Sequence, residues 1–337
     1  MKDKTTQRPA LPKLRVMMSM PCADVGVGLV CRSLIRGALM NGFDADLFTS
    51  RSDSRHGEPF SLHAFTPRLL QSLPHRLTRQ LTVRRLHAAY LTSLQEGEVA
   101  YLWPSVPLDI FRLVRQMGHP IVYEAINTRM ADAMPILDKA YIDLGLIPPH
   151  HRITRERIAL EEALLAESDY VFSPSPGTDR SLARSPSGAR ALETSYGCWL
   201  PPSPPERQEK GPDDPVTFLF VGRSAIRKGL QHLLAAWRDV PANAHLKVIG
   251  FDEPAIGRIF QDVIDMPNVS VTGFQRDTAS AFQAADVFVM PSLEEGDPLV
   301  TYEAAAHGLP VIASSVGAGR IGAQSGAILQ IDTSNIT

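Results

Sequence analysis

The stretch LEEGDPLVTYEAAAHGLPVI, residues 293–312, decides the fold. Two carboxylates, Glu295 and Glu303, stand in it with seven residues between them. Asp297 has the residue type of a helix N-cap, and Pro298 that of a first helical position, where a missing N–H costs nothing. Gly308, Leu309 and Pro310 read as a helix stop. The flanking runs VFVMPS (287–292) and PVIAS (310–314) are short and β-rich. Strand, loop, helix and strand in that order make a βαβ unit of a parallel sheet. Ligands of such sheets sit beyond the carboxyl ends of the strands, where this loop lies, and a helix start there favours phosphate. Glu303, in the second turn, leans back toward the helix start, and Glu295 reaches it from the strand side. A ligand anionic in its middle and hydroxylated at both ends, such as a nucleotide-sugar, suits that layout, because a carboxylate accepts two vicinal hydroxyls. The competing reading is two solvated glutamates beside an ordinary helix start.

Moving outward, the 337 residues can hold two domains of ordinary size. A hydrophobic share of 44% with 21% charged residues belongs to a globular chain. A net charge of −2 argues against nucleic-acid binding as the main activity. The three cysteines, Cys22, Cys31 and Cys198, form no CxxC pair, which fits a reducing compartment. No cysteine and histidine spacing matches a structural zinc site, and His150–His151 read as a loop feature. The N-terminal residues lack the apolar core of a signal peptide, and no run approaches the ~18 apolar residues of a membrane span. A cytoplasmic location is therefore expected.

PPSPPERQEKGPDDP (201–215), with six prolines, cannot build a packed core and reads as a linker. The expected division is a first domain over 12–200, the linker over 201–215 and a second domain over 216–337. In the first, LRVMMSM (14–20), DADLFTS (44–50), VAYLWPS (99–105), HPIVYEAIN (119–127) and SDYVFSPS (168–175) read as strands, with a helix over 29–42. In the second, VTFLFVG (216–222), HLKVIG (245–250), NVSVTG (268–273) and DVFVMPS (286–292) alternate with helical stretches. This alternation predicts α/β domains with parallel sheets covered on both faces, which two such domains would turn toward a cleft.

After the strand VTFLFVG comes GRSAIRKG (222–229), which sets Arg223 and Lys228 on the ligand side of the sheet. Two cations there can neutralise a diphosphate leaving group; basic residues in a loop are also often merely solvated. FLFVGRSAIRKGLQHLLAAW, LKVIG, VSVTGF and ADVFVMPSLEEGDPLVTYEAAAHGLPVIAS together resemble the C-terminal domain of family 4 (group 1) glycosyltransferases of the GT-B fold. The resemblance runs almost continuously from about residue 216 to 316, and its E-x7-E element with the GR…KG loop is specific. It implies two Rossmann-like doubly wound domains and a retaining, metal-independent hexosyltransferase-like enzyme. A nucleotide-sugar co-substrate would be its only cofactor-like partner, and a glycan, lipid-linked or small molecule its acceptor. Carried over, Gly222, Arg223 and Lys228 would meet the diphosphate, and Glu295 the donor sugar. Glu303 would hold the ribose hydroxyls, and the backbone of Gly296, Pro298, Leu299 and Val300 would line the phosphate; Arg223, Lys228 and Glu295 would be the catalytic set. In the N-terminal half the resemblance is only in outline, with Gly26 and Gly28 as a weak donor-loop signal.

Three features depart from the family pattern. Asp297 stands where an aromatic or apolar residue is usual. Glu124 and Asn127 follow the strand after which a histidine is often found. The sequence ends at IDTSNIT, so the second domain reads as shortened. RLLQSLPHRLTRQLTVRRLH (68–87) carries five arginines, no acids and leucines at helical spacing. It reads either as a helix on the inner face of a membrane or as a domain helix packed on its leucines and interrupted at Pro74. Two other classes stay open beside transfer: a nucleotide-sugar epimerase of GT-B fold and a degenerate, binding-only relative.

Overall fold

The computed structural model describes residues 11–333 apart from 24, 53–56, 71–72, 74, 149–152, 199–210, 212–213 and 224. Most of the proline-rich linker, His150–His151, Pro74 and the last four residues lie outside the described residues.

The first sheet takes seven strands: β1 Leu14–Met18, β2 Ala45–Thr49, β3 Ser61–Ala64, β4 Val99–Leu102, β5 Ile121–Glu124, β6 Tyr170–Ser173 and β7 Arg190–Glu193. Their order is β3-β2-β1-β4-β5-β6-β7. Strands β3 through β6 pair in parallel. The second sheet takes six: β8 Val216–Val221, β9 Ala244–Ile249, β10 Val269–Thr272, β11 Val287–Met290, β12 Val311–Ser314 and β13 Ile328–Ile331. Their order is β10-β9-β8-β11-β12-β13, all parallel. Both orders run outward from the first strand in one direction and then reverse, which is the doubly wound plan.

The helices of the first half are α1 Gly26–Met40, α2 His75–Ser93, α3 Leu108–Gln116, α4 Met130–Asp143, α5 Arg155–Ala166 and α6 Pro176–Leu182. Those of the second are α7 Leu230–Trp237, α8 Pro254–Ile259, α9 Gln261–Ile264, α10 Ala279–Ala284 and α11 Leu299–Ala306. The central strands are largely buried and mostly apolar, as expected for a parallel sheet covered on both faces; all five residues of β2 are buried, for example. β3 and β7 were not anticipated: they are edge strands with mostly exposed residues, so no apolar run marks them.

The chain forms two compact units. One is Met1–Ala125 with Glu162–Phe172 and Pro186–Leu192; the other is Ile126–Glu161 with Ser173–Ser185 and Glu193–Thr337. The strands of the two sheets come from residues 14–193 and 216–331, on either side of the proline-rich stretch. The second unit also takes α4, because Ala140, Tyr141 and Leu144 pack into its core beside Leu219, Phe220, Leu230, Leu234, Trp237 and Phe288. Each fully buried Leu or Phe among them contributes roughly 1.5–3 kcal/mol. The first unit is centred on Val16, Met17, Leu47, Leu102, Trp103 and Phe111.

Candidate functional site

In the second sheet the order reverses between β8 and β11, so the loops after these two strands are neighbours. The two motifs singled out in the sequence are those two loops. The loop after β8 turns back at Gly229, whose φ of +74° is the left-handed region; a Cβ there would lie 1.8 Å from the Pro291 carbonyl oxygen. Only glycine permits both the angle and the approach. Leu293 N–H donates to the Arg227 carbonyl at 2.9 Å and ties the second loop to the first.

Between the loops lies a buried cluster of four charges. Lys228 Nζ pairs with Glu295 Oε1. Arg227 Nη1 lies 3.3 Å from both Glu294 Oε2 and Glu295 Oε2. Thr128 donates to Glu294 Oε1 from its hydroxyl at 2.7 Å and its N–H at 3.2 Å. Ser292 donates to Glu295 Oε1 at 3.1 Å. Burial opposes ionisation of Glu295, but Lys228 and Arg227 outweigh it and hold the carboxyl below its ordinary value. Burial pushes Glu294 up, with Glu295 adding to the effect and Arg227 and Thr128 opposing it. Burial pulls Lys228 down, with Arg227 adding to the effect against the pull of Glu295. The result is a compact set of ion pairs from which a lysine can turn to an incoming anion.

The expected residues divide. Gly222 packs against Lys228, whose Cδ would be 3.3 Å from a Cβ at that position. Arg223 stands apart from Lys228: it is largely exposed and pairs with Asp252 at 3.1 Å. The second cation of the cluster is Arg227, which the sequence reading passed over, as it did Glu294 and Thr128. The available signal was a basic dipeptide, Arg227–Lys228, facing an acidic one, Glu294–Glu295. Glu303 is half-buried on α11. Among the described residues its carboxylate has no hydrogen bond or ion pair, and burial pushes it up, His307 opposing. Cys198 lies close enough for Glu303 to raise its thiol further, beyond the effect of burial. Leu299 and Val300 open α11, where an α-helix leaves N–H groups without intrahelical partners. Gly26 and Gly28 sit at the start of α1 in the first unit. A Cβ at Gly28 would fall 2.3 Å from the Ala23 carbonyl oxygen, so the close crossing of its own loop already requires that glycine. Glu124, also in the first unit, is fully buried and accepts from the Tyr101 hydroxyl.

Gly296 is held just as tightly. A Cβ there would lie 1.9 Å from the Ile126 carbonyl oxygen. Backbone atoms cannot swing away as a side-chain tip can, so Gly296→Ala is expected to cost about 1–3 kcal/mol through forced backbone shifts. Urea unfolding measures this; an unchanged midpoint would show that the loop after β11 is free to move.

The reading of Asp297 as a helix cap is corrected. The N-cap of α11 is Pro298, and no side chain caps it. The Asp297 carboxylate instead turns to other partners. It accepts from the Tyr302 hydroxyl at 2.7 and 2.9 Å and from Tyr196 N–H at 2.9 Å. Arg320 N–H and the Ser195 hydroxyl, at 3.0 and 3.2 Å, complete the shell. Gly319, with φ +61°, makes room, since a Cβ there would meet Asp297 Oδ1 at 2.4 Å. Arg320 extends the junction, donating to the carbonyls of Thr194 and Ser173 and pairing with Asp179. A local cap lost to these contacts because one buried carboxylate there satisfies part-buried donors from two other segments as well as the Tyr302 hydroxyl. Asp297 is thus a hub that fastens residues 195–196 and 320 to the start of α11.

Residues 215–335 match the family described as Glycosyl transferases group 1. This segment is similar to the group 1 glycosyltransferases. The chain is 36% identical over 112 residues to the sulfoquinovosyl transferase SQD2 of Arabidopsis thaliana, covering 33% of this chain and 22% of that one. A longer match, 28% identical over 283 residues, is to the D-inositol 3-phosphate glycosyltransferase of Xylanimonas cellulosilytica, covering 77% of this chain and 61% of that one. The chain therefore spans less than two thirds of the length of these curated relatives. Among solved structures, the sucrose-phosphate synthase of Thermosynechococcus elongatus superimposes with a TM-score of 0.64 at 20% identity, over 91% of this chain and 82% of that one. The Anabaena protein Alr3699/HepE in complex with UDP gives 0.61 at 14% identity, over 95% and 85%. These likenesses show the GT-B fold.

Proposed function

We propose that the protein is a glycosyltransferase that moves a sugar from a nucleotide-sugar to a hydroxyl acceptor, with retention of configuration and without a divalent metal. The observation that carries the reading is the buried Lys228–Glu295 pair, reinforced by Arg227, at the reversal point of a sheet in a segment similar to the group 1 glycosyltransferases. In the transfer, the bond between the anomeric carbon and the diphosphate oxygen breaks, and the electron pair leaves with the diphosphate. The acceptor oxygen forms the new bond and gives its proton to the departing diphosphate oxygen. Charge grows on the diphosphate, and Lys228 is placed to meet it, with Arg227 holding Glu295 as Lys228 turns. Arg223 reaches the same phosphates from the surface by leaving Asp252. The first-turn N–H groups of Leu299 and Val300 add positive potential. The proposal gives charge neutralisation to these cations and the helix start. Glu303, its carboxylate free among the described residues, is assigned the ribose hydroxyls, and Glu295 the donor sugar. The acceptor is a glycan, a lipid-linked sugar or a small molecule, and the enzyme works in the cytoplasm. No helix among the described residues is long and apolar enough to cross a membrane.

Incubation with UDP-sugars first, then GDP- and ADP-sugars, tests the reading. A new glycoside supports it, whereas an epimerised donor or binding without turnover overturns it. Within that assay, Glu303→Ala is expected to weaken donor binding by about 1.5–3 kcal/mol, the worth of a hydrogen bond to a charged group. Calorimetry with the fold checked by circular dichroism measures this; unchanged affinity removes Glu303 from the ribose.

A further inference from the structure

The four charges between the loops after β8 and β11 balance, Arg227 and Lys228 against Glu294 and Glu295, but their partners are shared unevenly. Glu295 has both cations and the Ser292 hydroxyl. Among the described residues Glu294 has one cation, Arg227, and meets it through Nη1, the same nitrogen that faces Glu295; both separations are 3.3 Å. One guanidinium nitrogen thus serves two buried carboxylates, without the forked geometry that makes an arginine–carboxylate contact strong. The neutral partner of Glu294 is Thr128, whose hydroxyl and N–H both donate to Oε1. Oε2, the oxygen toward Arg227, takes no other hydrogen bond among the described residues.

We propose that Glu294 is a positioning residue for the transfer, taking up a proton on Oε2 when the nucleotide-sugar draws Lys228 away from Glu295. This rests on the transferase reading above. The diphosphate brings negative charge to the cluster, and once Lys228 turns to it, Arg227 stands between two buried carboxylates. Two carboxylates that share a site do not both stay ionised when one cation must serve them. The proton goes to Glu294 because Glu295 keeps Arg227 and Ser292, whereas Thr128 occupies only Oε1 of Glu294. With Glu294 neutral, Arg227 belongs to Glu295 alone and holds that carboxylate in place as the lysine leaves. The free protein leans the same way. Burial and Glu295 already push Glu294 above the ordinary carboxyl value against the pull of Arg227, while Glu295 lies below it. One further carboxylate acts on Arg227: Glu253, after β9, which accepts from the Ile226 N–H at 2.7 Å and is also pushed up by burial.

Calorimetry of donor binding to the full chain, without acceptor, tests it in two buffers of unlike ionisation enthalpy, MES and imidazole. UDP-glucose, GDP-glucose and ADP-glucose are the probes, because a diphosphate esterified at both ends exchanges no proton near neutral pH. The heats should differ between buffers by the amount for about one proton taken up per donor bound. A group that holds its proton more tightly in the complex favours the complex at lower pH, so affinity should fall as pH rises, by at most about tenfold per unit. Glu294→Gln mimics the protonated acid. It should bind donor without proton uptake, with an affinity that no longer changes with pH and exceeds the parent's at alkaline pH. A residue that merely tethered Arg227 would instead weaken donor binding at every pH when replaced. Equal heats in the two buffers overturn the proposal and leave the transferase reading standing, as does uptake that persists in Glu294→Gln, which would pass the proton to Glu253. If none of the donors binds, the transferase reading fails and the proposal with it.

Discussion

Asp297→Ala is expected to cost about 3–5 kcal/mol. It strips a charged acceptor from the part-buried N–H groups of Tyr196 and Arg320 and from the buried Tyr302 hydroxyl. The Tyr302 hydroxyl keeps Ser195 as a partner at 2.7 Å, so the two backbone donors carry most of the loss. Serine should rescue little, because its short side chain cannot span Tyr196 and Arg320 together, whereas it would have served as a helix cap. Asparagine should fall between, at about 1–3 kcal/mol, since its amide nitrogen must face a donor. Denaturant unfolding of the three variants measures the series. A serine variant as stable as the parent would restore the capping role. Burial pushes the Asp297 carboxyl above its ordinary value of 3.8. A raised folded value means that the fold binds this proton more tightly than the unfolded chain does. The contribution of Asp297 is therefore greatest below 3.8 and declines as pH rises through the folded value.

Glu295→Ala has the second large effect. It leaves Lys228 buried without the carboxylate it pairs with, at a cost of about 3–5 kcal/mol. Arg227 is less affected, because Glu294 still faces it. Changing Lys228→Met together with Glu295→Gln should recover much of the stability, since a buried pair replaced by uncharged groups is often nearly neutral. A double-mutant cycle reads the coupling directly. The same double variant should lose sugar transfer, so stability and turnover should separate. The pH dependence has the opposite sign to that of Asp297. Glu295 lies below its ordinary value of 4.5 in the fold, so its stabilisation is complete above 4.5 and is lost as pH falls through the lower folded value. A stability gap between parent and Glu295→Gln that stays constant down to acid pH would exclude the pair as the source.

The sequence by itself determined the elements and the sheet type. Apolar runs such as VTFLFVG and VFVMPS, alternating with helical segments and closed by glycine and proline, allow little other than parallel sheets. Spacing within one βαβ unit also located Glu295, Gly296 and Glu303 around a helix start, because those distances are local and set by the helix repeat. Edge strands β3 and β7 escaped notice, since an exposed strand carries no apolar signature. Tertiary structure alone decided the pairings. The partner of Lys228 is 67 residues away and became visible only when the strand order set β8 beside β11. Arg227 and Arg223 are alike in sequence, yet one faces Glu294 and Glu295 and the other faces Asp252 at the surface. Asp297 shows the limit most clearly. Its local sequence is that of a helix cap, but Tyr196, Tyr302 and Arg320 converge on it across the fold. A carboxylate turns to the donors that would cost most if left unpaired, and which donors those are is a property of the packed chain.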